Sequence, residues 1–132
     1  MDSSQTELSP ATTTLKLVSI SPTAGATLSV DTVLSADLEY TVQDFEPSRF
    51  KILAQFDTDR SGRTTDGTFK AYPVLKSAAG KVHFCFPMTH VWSRPEVTRP
   101  FVVRFYLNRE LGEKGRSVVI ARTQALAFAA TQ

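Results

Sequence analysis

Cysteine is almost missing from this sequence: Cys85 stands alone among 132 residues. One thiol cannot close an intrachain disulfide, so the fold must hold without covalent staples, and cysteine usage leaves the redox compartment undetermined. Long apolar runs are missing as well. No stretch approaches the roughly 20 apolar residues that a membrane-spanning helix requires, so membrane insertion is not expected. Charge is nearly balanced, with fifteen Lys and Arg against thirteen Asp and Glu, and the basic residues are scattered. A nucleic-acid surface gathers Lys and Arg into a patch, so no nucleic-acid partner is expected. Also absent are an internal repeat, a Gly-x-Ser-x-Gly elbow, a Gly-rich phosphate loop and a paired-carboxylate cleft. Without any of them the expectation is a protein that is not an enzyme and carries no cofactor.

What is present is the material of one all-β domain. A chain of this length buries roughly two thirds of its unfolded surface on folding. Hydrophobic residues make up 42%, and nine Phe against one Trp supply the bulk of a core. Residues 1–14 (MDSSQTELSPATTT) are rich in Ser, Thr, Gln and Pro, which predicts a flexible tail, with the domain covering 15–132. The tail shows no basic-then-apolar signal pattern. As written the chain is expected to be cytoplasmic; an extracytoplasmic location follows if a leader once stood ahead of residue 1.

Seven segments read as strands, and the clearest carry a period of two, the signature of one buried face. In 33–42, Leu34, Ala36, Leu38, Tyr40 and Val42 share a face, leaving Ser35, Asp37, Glu39 and Thr41 on the other. Segment 50–56 turns Phe50, Ile52, Ala54 and Phe56 inward, 81–86 turns Val82, Phe84 and Phe86, and 101–107 turns Phe101, Val103, Phe105 and Leu107. Segment 15–21 ends at Pro22. Segment 69–75 contains Pro73, which cannot donate to a ladder and belongs at a sheet margin. Segment 116–129 closes the domain as one long or two broken strands, and its Val118-Val119-Ile120 run has no period from which to assign faces.

Seven short strands without alternating helices predict antiparallel sheets packed face to face. The strand order resembles an immunoglobulin or fibronectin type III domain, and Ile20-Ser21-Pro22-Thr23-Ala24-Gly25-Ala26-Thr27-Leu28 is similar to the first turn of many bacterial immunoglobulin-like domains. The resemblance implies an immunoglobulin-like antiparallel β-sandwich and no functional residue. The chain departs from the pattern in lacking a Cys pair between sheets, a Trp on the third strand and a Tyr near the start of the sixth.

If the third and sixth strands are neighbours, Leu53 and Gln55 lie beside Val102, Arg104 and Tyr106 on the solvent side, a composition enriched at protein interfaces. Leu53, Gln55, Arg104 and Tyr106 are therefore candidate partner-binding residues, for another protein or a second copy. Trp92, between Arg94 and Arg99 in the proline-bearing connection 87–100, is either an interface anchor or a plug beside Phe86 and Phe101. Asp57, Asp59 and Ser61 place oxygen donors at alternate positions before Gly62, as a calcium loop would. Thr68 replaces the expected Glu, no helix flanks the segment, and Arg60 and Arg63 bring positive charge, so the reading preferred over calcium is a solvated hairpin loop. An accessory module that binds carbohydrate or calcium through Asp57, Asp59, Asp66 and Trp92 is the alternative reading. His83, Cys85 and His90 are too few for a structural zinc site. His83 is expected to be an exposed strand residue near Asp37 or Glu39.

Overall fold

A computed structural model describes residues 12–58, 64–65, 74–112 and 116–131. The chain is all-β. Its elements are β1 (Thr14–Ser21), β2 (Thr27–Leu28), β3 (Val33–Thr41), β4 (Phe50–Asp57), β5 (Thr64–Thr65), β6 (Ala79–Pro87), a single helical turn α1 (Thr89–Trp92), β7 (Phe101–Glu110), β8 (Ser117–Arg122) and β9 (Leu126–Ala130). No helix among the described residues is long and apolar enough to cross a membrane.

Two sheets form. One is ordered β1-β3-β6, and the other β2-β9-β7-β4-β5, with β8 also paired to β7. The alternation read from the sequence decides which side of each strand meets the other sheet. Leu34, Ala36, Leu38, Tyr40 and Val42 are buried, as are Phe50, Ile52, Ala54, Phe56, Phe84, Phe86, Phe101, Val103, Phe105 and Leu107. Across the dry layer Phe56 meets Phe86 with ring centroids 5.2 Å apart, and Phe84 meets Phe105 at 5.4 Å. Each such ring removes enough apolar surface from water to stabilise the fold by about 2–3 kcal/mol.

Several boundaries differ from the sequence reading. Residues ahead of 15 bond to β3 and the chain just after it: the Thr41 hydroxyl donates to the Thr12 carbonyl, and the Gln43 N–H donates to the Thr13 hydroxyl. Residues 1–11 lie outside the described residues, and so do residues 69–73 of the expected fourth strand. Val74 and Leu75, which are described, run along β4: Val74 bridges to Lys51, and the Leu75 N–H donates to the Phe50 carbonyl. The turn after Pro22 delivers Leu28 into the core, fully buried.

The C-terminal stretch breaks at Thr123-Gln124-Ala125 into β8 and β9, which follow one another along the same side of β7. Asn108 faces Val119 while Leu107 faces Ala121, so Ile120 is an inserted residue, a β-bulge. That insertion is why the run had no readable period.

Candidate functional site

β4 and β7 are antiparallel neighbours, with Leu53 opposite Tyr106 and Gln55 opposite Arg104, the pairing the sequence suggested. The face they form is not the open apolar surface expected of it. Leu53 is only 5% exposed, so it offers no area to a partner, although its strand position does point it away from the core layer. Arg104 is also committed. Its guanidinium is ion-paired with the Asp57 carboxylate, diagonal to it across the two strands, and both side chains are largely covered, at 30% and 19% exposed. Gln55 and Tyr106 are half-buried. The register brings all four residues together, but as a mostly covered lattice.

The same ion pair bears on calcium. Asp57 gives its carboxylate to Arg104, and its carbonyl accepts the Thr98 N–H at 3.0 Å. A cation would have to displace a guanidinium to use it. Asp59, Ser61 and Asp66 lie outside the described residues. Among the described residues no group of three or more His, Cys, Asp and Glu is arranged to hold a metal.

Trp92 ends α1 and is half-buried. Its ring lies 5.4 Å from that of Phe101, and the Arg99 guanidinium sits 4.8 Å above it while donating to the Trp92 carbonyl. The indole is thus covered on one side by the core and on the other by a cation, the arrangement of a plug. Phe86 takes His90 instead, edge-on at 5.3 Å. His90 therefore caps the end of the core from an exposed position, and His83 lies on the opposite face of β6.

On that outer face His83 is fixed by β3. Its Nδ1–H donates to Asp37 Oδ1 at 2.7 Å, and the Ser19 hydroxyl donates to Asp37 Oδ2 at 3.1 Å. The His83 hydrogen bond, then that of Ser19, holds the Asp37 carboxyl below the usual carboxylate range. Cys85 lies exposed two residues along the strand. A Ser, an Asp and a His in contact invite comparison with a hydrolytic triad, but here the Asp is central and binds both others, whereas catalysis needs the His between nucleophile and carboxylate. The arrangement ties β1, β3 and β6 together.

The sequence pointed to no surface at β8, where the structure leaves one. β8 pairs with β7 on one side and with no strand on its other side among the described residues. Val118 and Val119 are 42% and 39% exposed. The Leu111 N–H donates to the Arg116 carbonyl, and the Thr123 N–H to the Phe105 carbonyl. Alternation along an antiparallel ladder then turns the main-chain groups of Ser117, Val119 and Arg122 away from β7, on the side where β1 of the other sheet packs nearby without pairing to β8. A run of β-branched residues with a free edge was the available signal, masked by the bulge.

No protein-family model matches this chain, and no curated protein matches it.

Proposed function

We propose that the chain is an immunoglobulin-like β-sandwich module that binds another protein and is not an enzyme. The strand order supports the fold reading: the first, third and sixth strands form one sheet, the fourth and seventh are central to the other, and β2 joins the second sheet beside the C-terminal strand. The observation that carries the functional reading is the edge of β8. Unpaired edges are templates for a strand from another chain, and natural sheets ordinarily blunt them. Here the bulge at Ile120 and the terminal Arg122 blunt the edge only in part, leaving Val118 and Val119 exposed opposite Arg109 and Asn108.

The chemistry-bearing side chains support the same reading from the other direction. Asp57 and Arg104 neutralise each other, Asp37 holds Ser19 and His83, and Trp92 plugs one end of the core. Each is accounted for by the fold.

The test is Val119→Lys, which places a charge on the edge without touching the core. Association with the partner, followed by sedimentation or by capture on an immobilised chain, is expected to fall at least tenfold, while the melting temperature stays within a few degrees of wild type. Association unchanged by this substitution would remove β8 as the site.

A further inference from the structure

Arg122, the last residue of β8, borders a groove, and the groove has a charge. It runs between β1 and the chain that follows β8, with a volume of about 480 Å³. Leu15, Leu17 and Leu126 give it apolar walls, and Lys16 and Arg122 stand at its rims, both exposed. Among the described residues no carboxylate lines it. The nearest across the sheet is Glu39, opposite Lys16 in register, and its Oε2 lies 3.8 Å from Lys81 Nζ.

This side of the molecule already accepts an added strand lower down. β2 pairs in parallel with β9, Thr27 opposite Ala129 and Leu28 opposite Ala130. The Gly25 N–H donates to Ala127, the Ala129 N–H to Ala26, and the Thr131 N–H to Leu28. That zipper stops before β8, so the outward main-chain groups of Ser117, Val119 and Arg122 continue the line without a partner strand among the described residues.

Resting on the reading of β8 as a binding edge, we propose that its occupant is an extended acidic segment of another protein, which adds as a strand along β8 and sets a carboxylate between Lys16 and Arg122. Charge chooses this occupant over a second copy of the chain. Two β8 strands paired about a two-fold axis would bring two Arg122 side chains to the interface and supply no acid from either strand, since Ser-Val-Val-Ile-Ala-Arg has none. An acidic strand satisfies the edge and the rims at once.

The probe is a blocked decapeptide of alternating Glu and Val, with the Lys and Val counterpart as control, titrated into the full chain at low salt. The acidic peptide is expected to bind, to shift the amide resonances of Ser117, Val119 and Arg122, and to lose affinity as salt rises. Combined Lys16→Glu and Arg122→Glu substitution should weaken it about tenfold or more and let the basic peptide bind in its place. Equal binding of both peptides by the wild-type chain, or shifts that avoid β8, would overturn the proposal. Self-association that moves the β8 amides while neither peptide binds would assign the edge to a second copy, overturning the acidic segment while leaving the binding role of β8 intact. If neither peptide nor concentration moves the β8 amides, the acidic segment and the β8 reading fall together.

Discussion

β8 and β9 come from one C-terminal stretch and hydrogen-bond to the same side of β7, yet one is closed and the other open. β9 is covered by β2, and its Phe128 is fully packed, while β8 pairs with no second strand among the described residues and exposes two valines. The difference begins in the turn after Pro22. The Ala26 N–H donates back to the Thr23 carbonyl, and Gly25 takes a positive φ of 91°, which together swing the chain out of the first sheet and across to the second. Any residue with a Cβ would be strained there. The crossing chain is long enough to cover β9 and no more. An edge is thus protected here by where a turn delivers four residues, rather than by anything in the edge strand itself.

Substitutions at matched positions would sharpen or break this contrast. The largest effect is expected in the closed half, where Phe128→Ala empties a fully packed site and should cost about 3–5 kcal/mol in urea unfolding, with Leu28→Ala costing about 2–5. Val119→Ala in the open half should change stability by no more than about 0.5 kcal/mol. Comparable losses at the two sites would mean that β8 is as well covered as β9. Between the halves, Arg104→Ala leaves Asp57 without its partner in a largely covered position. Because solvent still reaches the pair, a loss of about 1 kcal/mol is expected, in the same unfolding assay.

The smallest effect belongs to Asp37, which lies on the outer face of the other sheet and serves as a control outside both halves. Its carboxyl is held below its ordinary value in the folded chain, so its contribution is present above the unfolded pKa and is lost as pH falls through the folded one. Unfolding midpoints should therefore decline slightly below about pH 4. Asp37→Asn should flatten that decline and leave the β8 edge unaffected. A decline of the same size in the variant would show that other carboxylates produce it.

The inward residues of four strands were legible in the sequence because each makes a strict alternation, and a sheet side chain's direction follows from position alone. The pairing of β4 with β7, and with it the neighbourhood of Gln55 and Arg104, was expected only from the resemblance to an immunoglobulin-like sheet, since alternation does not say which strands are neighbours. Two things were not legible. Leu53 obeys the alternation and is still buried, because alternation sets which way a side chain points and not what lies over it. The ion pair of Arg104 with Asp57 depends on a diagonal contact between strands, so the cation that looked available to a partner was already engaged. At β8 the loss was local: one inserted residue, Ile120, shifts the register midway and removes the periodicity that would have marked the edge. His83 was placed correctly beside Asp37 because cross-strand neighbours follow once two strands are paired.

Amide hydrogen exchange along the C-terminal stretch tests the account most directly. The Ala129 and Thr131 amides, which donate to the Ala26 and Leu28 carbonyls, should exchange slowly. The Val119 amide should exchange far faster in the free chain and slow when the acidic peptide is bound. A Val119 amide already as protected as that of Ala129 in the free chain would contradict the open edge on which the functional reading stands.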